Sequence, residues 1–165
     1  MKISTLAKKI VKDESQIVST DKIRGEINGN EAEQSNASEV FNEYHRRIDE
    51  KLKNGELVIA DATSIQEFAR QNLYKIAEKY NRPIRIIIMN MGLEQCLRQN
   101  KNRNRQVPED VIRNMFESLK SEYKKIEEEV KMLPDAKVYD IMSLEKEQER
   151  WPKGHLNIIW SKCMI

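Results

Sequence analysis

Short β-branched runs alternate with long amphipathic stretches, which predicts an α/β protein built on an open, three-layer parallel sheet. Three observations carry this expectation. Gln16-Ile17-Val18-Ser19, Leu57-Val58-Ile59-Ala60, Ile84 to Met89 and Lys137-Val138-Tyr139 are continuous apolar or β-rich runs of strand length, as strands buried on both faces require. The segments between them carry apolar residues at helical spacing. The strict strand–helix alternation then calls for right-handed crossovers between parallel strands.

Taken in order, Gln16–Ser19 is the first strand, and the polar, Gly-containing NGNEAEQSNAS of Asn28 to Ser38 is expected as a loop. Val40, Phe41, Tyr44, Ile48 and Leu52 share one helical stripe that returns the chain to the second strand. Ile65, Phe68, Ala69, Leu73, Ile76, Ala77 and Tyr80 form the next stripe, leading to Ile84–Met89. A third stripe, Val111, Ile112, Met115, Phe116, Leu119, Tyr123, Ile126 and Val130, follows Pro108, whose fixed φ suits a first helical turn. Glu109 and Asp110 add favourable charge there. Trp151-Pro152-Lys153-Gly154 reads as a turn, and HLNIIWSKCMI from His155 to Ile165 as a last strand or a segment packed on the sheet.

At 165 residues the chain is expected to form a single domain. The 29 Lys and Arg stand against 27 Asp and Glu, a net charge of +2, which excludes a disordered polyelectrolyte and disfavours a uniformly basic nucleic-acid coat. Cys96 and Cys163 lack the paired spacing of a zinc site, and His45 and His155 add no ligand cluster. Free thiols and the absence of a run of about 18 apolar residues make a soluble cytoplasmic protein with no membrane partner the expectation.

Open parallel sheets bind ligands beyond the carboxyl ends of their strands. The residues placed there are Asp21 and Arg24 after the first strand, Asp61 and Thr63 after the second, and Asn90 after the third. Each carboxylate suits metal binding or proton abstraction, and each equally suits helix capping. RQNKNRNR, from Arg98 to Arg105, sets four cations between two helices. Such a segment is either a solvated charged face or a lid that closes over phosphates.

STDKIR (Ser19–Arg24), VIADAT (Val58–Thr63) and NKNRNRQVPEDVIRNMFESL (Asn100–Leu119) together resemble the P-loop phosphotransferases typified by the polynucleotide 5′-kinase domain of nucleic-acid end-repair enzymes. The likeness extends over roughly residues 4–140. It implies a P-loop kinase fold with ATP and Mg²⁺ as cofactors and a nucleotide, or an RNA or DNA 5′ end, as partner. By position, Asp21 matches the general base, Arg24 the arginine that holds the acceptor's 3′ phosphate, and Asp61 the second acidic residue, which orients Arg24 or the metal region. Arg103 matches the lid arginine on the donor phosphates, with Arg98 and Arg105 as its neighbours. Ser4 and Thr5, opening STLAKKI, match the end of the Walker A motif, where Ser4 would ligate Mg²⁺.

The pattern departs from the family at the start. Only Met1-Lys2-Ile3 precede Ser4, so Ile3 stands where the phosphate-binding lysine belongs, with Lys2 one place out of register. The family's central strand and most of its phosphate loop are expected to be missing, through truncation or in a real short protein. Weak ATP binding follows as an expectation, with a catalytically inactive nucleotide- or RNA-end-binding remnant and a small-molecule kinase as alternatives. A sheet lacking its middle strand should self-associate or fill the gap, and His155 to Ile165 is the candidate filler.

Overall fold

In the computed structural model, residues 7–9, 11, 13–31, 35–62, 67–89, 92–104, 106–140 and 154–161 are described. A 3-10 turn at Glu14–Gln16 leads into β1 (Ile17–Ser19), α1 (Thr20–Asn28), α2 (Ala37–Lys53), β2 (Val58–Asp61), α3 (Glu67–Lys79), β3 (Ile84–Met89), α4 (Leu93–Lys101), α5 (Glu109–Met132), β4 (Lys137–Asp140) and β5 (Leu156–Ser161). Ser19 explains where α1 begins: its extended backbone breaks the helix and its side chain accepts the Lys22 N–H at 3.5 Å. Gly29 ends the helix at φ 71°, a left-handed conformation that glycine adopts without strain.

All strand pairs are parallel, in the order β1-β2-β5-β3-β4. Val58, Ile59 and Ala60 of β2 and Ile86, Ile87 and Ile88 of β3 are all buried, so both faces of these strands lie out of water. One face joins Val58, Ala60, Ile84, Ile86, Ile88, Leu156 and Ile158 to Tyr44, Ile48 and Leu52 of α2, Leu73 and Ala77 of α3, and Leu119 and Ile126 of α5. Each fully buried side chain of the Leu or Ile type contributes about 1.5–3 kcal/mol of transfer free energy, which makes this cluster the main stabilising term.

The middle of the sheet is occupied, and the strand there comes from the tail expected as its filler. β5 lies between β2 and β3, with Leu156 opposite both Val58 and Ile84, and Ile158 opposite both Ala60 and Ile86. Its entry is fixed at the amino ends of the strands. The Val58 N–H donates to the His155 carbonyl at 3.1 Å, and the Leu156 N–H to the Pro83 carbonyl at 3.0 Å. Arg82 donates through Nε to the Leu52 carbonyl at 2.9 Å. A Cβ on Gly55 would meet the Arg82 guanidinium at 3.3 Å and one on Gly154 at 3.2 Å, and both glycines have positive φ. The two turns close on one side chain, and a larger residue at either position would push it out.

Three local expectations need correction. Phe68 is 66% exposed and Val111 is 46% exposed, because each stripe is narrower than its periodicity suggested. Arg98 belongs to α4, so the loop after that helix begins at Asn102. Pro108 caps α5 and does not enter its first turn.

A buried arginine joins two of the covering helices. Arg70 of α3, fully buried, donates through Nε and Nη2 to Glu129 of α5 at 2.9 and 2.7 Å, and through Nη2 to Glu122 at 2.9 Å. The Tyr74 hydroxyl donates to Glu129 at 2.6 Å. Removing one carboxylate from such a cluster leaves charge that water cannot reach. Glu129→Ala is therefore expected to cost roughly 2–4 kcal/mol in urea unfolding, several times the loss caused by Glu128→Ala on the exposed side of the same helix. Equal losses would show that the cluster is not buried.

Candidate functional site at the carboxyl rim

The first turn of α1 carries Asp21 and Arg24, and the end of β2 carries Asp61. Ser19 and Asp61 are partners in the β1–β2 ladder, which sets the start of α1 beside the Asp61 carboxylate. The capping function falls to Ser19, leaving the Asp21 side chain 70% exposed at the rim. Arg24, one turn on and buried, donates through Nη1 to Asp21 at 2.7 Å and to the Glu31 carbonyl at 3.4 Å. Its Nε is buried without a hydrogen-bond partner among the described residues. Arg24 thus lies on Asp21, and no ion pair joins it to Asp61 among the described residues.

Asp61 is pushed up to about 6, first by its burial and then by the negative charge of Asp21, with Lys22 opposing. Behind it, α2 supplies Tyr44, whose buried hydroxyl has no hydrogen-bond partner among the described residues. Burial raises that phenol above its ordinary range, and the Asp61 charge adds to the shift. The Tyr44 hydroxyl carries no sequence signal, because Tyr44 reads as one more apolar position in the α2 stripe.

The lid lies on the same rim, beyond β3. Asn100, buried at the end of α4, donates through Nδ2 to the Val107 carbonyl at 2.8 Å and accepts the Val107 N–H at 2.9 Å. This two-bond clasp closes the loop 102–107. Gln106 adds a bond to the Lys101 carbonyl at 3.0 Å. Lys101 and Arg113 are drawn toward Glu109 at 3.8 and 3.9 Å. Arg98 and Arg103 have no acidic partner among the described residues, so their guanidiniums remain available to an anion. Ser4, Thr5, Thr63, Asn90 and Arg105 lie outside the described residues.

The rim therefore brings Asp21, Arg24 and Asp61 together and leaves Arg98 and Arg103 apart from them across the sheet. No group of three or more His, Cys, Asp or Glu suited to holding a metal occurs among the described residues. The described groups that fit a nucleotide's phosphates are the unpaired lid guanidiniums, and those that fit a proton or a divalent cation are the two aspartates. Clefts of about 530 Å³ between α3 and α5, and about 370 Å³ along the outer edge of β1, are lined by neither Asp21, Arg24 nor Asp61.

A parallel α/β sheet that gathers Asp21, Arg24 and Asp61 on its carboxyl rim accords with the P-loop, nucleotide-binding, kinase-like class that the family match shows. The family model described as AAA domain (AAA_33), of the P-loop NTPase-like kinases, matches residues 4–126, well over half of the chain. The chain belongs to that family, whose members generally use ATP and Mg²⁺. No helix among the described residues is long and apolar enough to cross a membrane.

Two predictions follow from this geometry. Because the fold holds Asp61 near 6 while an unfolded aspartate titrates near 4, the native state binds the extra proton, and stability falls as pH rises through that window. Asp61→Asn should remove most of that decline and raise stability at pH 7 by roughly 1–3 kcal/mol, read from urea midpoints between pH 4 and 7.5. An unchanged pH profile would mean that Asp61 is solvated. Asn100→Ala should open the clasp and speed tryptic cleavage after Lys101 and Arg103 several-fold while the melting midpoint moves by only a few degrees.

Proposed function

We propose that the chain is a phosphotransferase-like protein directed at the 5′-hydroxyl of a nucleic-acid end. The observation that supports this most is the Asp21–Arg24 pair: an exposed carboxylate one helical turn from a mostly buried guanidinium, at 2.7 Å, on the rim where an open sheet takes its ligand. An acceptor hydroxyl beside Asp21 would lose its proton to that carboxylate as it attacks the transferred phosphate. The Arg24 guanidinium, which lies on Asp21, suits a phosphate on the same acceptor, which favours a nucleotide end over a neutral small molecule. Asp61, which burial and the Asp21 charge push up to about 6, stands beside that pair as the second acidic residue of the resemblance. Arg98 and Arg103 supply charge for the donor phosphates. ATP and Mg²⁺ would be held by the phosphate loop, to which the resemblance assigns Ser4 and Thr5, and bound Mg²⁺ would neutralise charge on the donor.

In this reading the 165-residue chain binds ATP·Mg²⁺ weakly, since Ile3 aligns with the phosphate-binding lysine. Joining a strand and a Gly-x-x-x-x-Gly-Lys loop directly to Ser4 should restore ATP binding by calorimetry and 5′-phosphorylation of an oligonucleotide. In that restored chain Asp21→Asn should lower transfer about 10²–10⁴-fold with ATP affinity nearly intact, and Arg24→Ala should mainly weaken the acceptor. A fully active Asp21→Asn variant would overturn the assignment of the base.

A further inference from the structure

The cleft of about 530 Å³ between α3 and α5 takes none of its lining residues from the rim. Its shape follows from how the two helices pack. Each returns the chain to the amino end of a parallel strand, α3 to β3 and α5 to β4, so they run in the same sense. Arg70 reaches Glu122 and Glu129, and Tyr74, one turn on, reaches Glu129, which sets the first half of α3 beside the second half of α5. Glu67 and Gln71 form one wall of the cleft and Lys124 and Glu128 the other, with Met132 and Leu133 at the far end.

Two features make this a surface that fits a partner. Three large apolar side chains are exposed among the described residues, Phe68, Val111 and Met132, and two of them belong here. Met132, 85% exposed, lines the cleft, and Phe68 adjoins the wall residue Glu67. Apolar area rimmed by polar groups marks a protein interface. The charges are the second feature. Glu129 is taken up by Arg70, Lys125 by Glu122 and Glu128 by Lys131. Glu67 and Lys124, one carboxylate and one ammonium on facing walls, have no ion pair among the described residues. The cleft holds them too far apart to pair within one chain.

We propose that this cleft is the interface of a homodimer, with a second copy of the chain docked face to face about a two-fold axis along the groove. Such an axis exchanges the two walls without reversing the direction of the groove. Glu67 of each copy then faces Lys124 of the other, and Phe68 and Met132 of both copies are removed from water. The charge balance selects this occupant. Glu67, Glu128 and Glu129 stand against Lys124, Lys125 and Arg70, so no net field attracts a nucleic acid or a strongly charged peptide. A two-fold interface sets a patch against itself, and only a patch whose charges complement one another under that rotation escapes self-repulsion. One unpaired charge of each sign on opposite walls meets the condition. The association uses only the outer face of two helices and is independent of the kinase reading.

Sedimentation velocity of the chain between about 5 µM and 0.5 mM should show a reversible monomer–dimer equilibrium with a dissociation constant in the micromolar range, as suits an interface at the small end of the specific class. Glu67→Lys and Lys124→Glu, both at exposed positions, should each weaken self-association about tenfold or more while the melting midpoint stays within about 2 °C of the parent. Mixing the two variants should restore association, since each reversed charge then meets its opposite across the interface. Phe68→Ser should weaken the dimer by a similar factor, and Val111→Ser, on an exposed position outside the cleft, should leave it unchanged. A chain that stays monomeric at about 0.5 mM overturns the proposal. A dimer indifferent to Glu67→Lys and Lys124→Glu overturns it too, because the contact then lies on another face. So does a mixture that associates no better than either variant alone.

Discussion

Without the double ladder of β5, β2 and β3 would each present a row of unpaired N–H and C=O groups to the other across an empty strand width, and the apolar cluster would lose Leu156 and Ile158 at its centre. That interaction sets the spacing of everything above it. α2 packs against the β1–β2 side, and α5 reaches the cluster through Leu119 and Ile126. The Arg70 cluster can bridge α3 and α5 only because the strand below holds those helices at a fixed separation. Arg82, gripping the Leu52 carbonyl while facing both Gly55 and Gly154, ties the entry of β5 to the turn before β2.

The parts legible in the sequence were those governed by local periodicity. Ile84–Met89 reads as a strand because five of its six residues are apolar and fall on both faces of an extended segment, as a strand buried on both sides requires, and the strand has those bounds. Val40, Tyr44, Ile48 and Leu52 recur every four residues, and all four are buried. Strand order is different in kind. Nothing local in Leu-Asn-Ile-Ile-Trp-Ser says which two strands it will join, because both neighbours are far away in the chain and the choice is made by backbone pairing. Arg70 was opaque for a related reason. A cation in a mixed stripe reads as solvent-facing until Glu122 and Glu129, one heptad apart on another helix, are placed over it.

The candidate site divides along the same line. Asp21 and Arg24 are three residues apart, so a helix starting at Thr20 is enough to bring them together, and the Asp21–Arg24 contact follows from spacing alone. Asp61 joins them through the Ser19–Asp61 ladder pairing, one step of tertiary structure beyond the sequence. Tyr44 and Asn100 were legible only as an apolar position and as part of a basic run. Their orphaned hydroxyl and two-bond clasp exist only once α2 lies behind β2 and α4 turns into the 102–107 loop.

The charge pattern gives the divided rim its chemical meaning. Arg46, Arg47 and Arg70 are held by carboxylates in multiple bonds, Arg24 lies on Asp21, and Arg82 is held by a backbone carbonyl. In a chain with nearly balanced charges such pairing is the ordinary fate of an arginine, and Arg98 and Arg103 have no carboxylate partner among the described residues. On the other side of β5, Asp61 is disfavoured as an anion first by its burial and then by the negative charge of Asp21. A phosphate-bearing ligand lying over the end of β5 would meet the Arg98 and Arg103 guanidiniums on one flank and the Asp21–Arg24 pair with Asp61 on the other. Neither flank can act on both ends of that ligand alone.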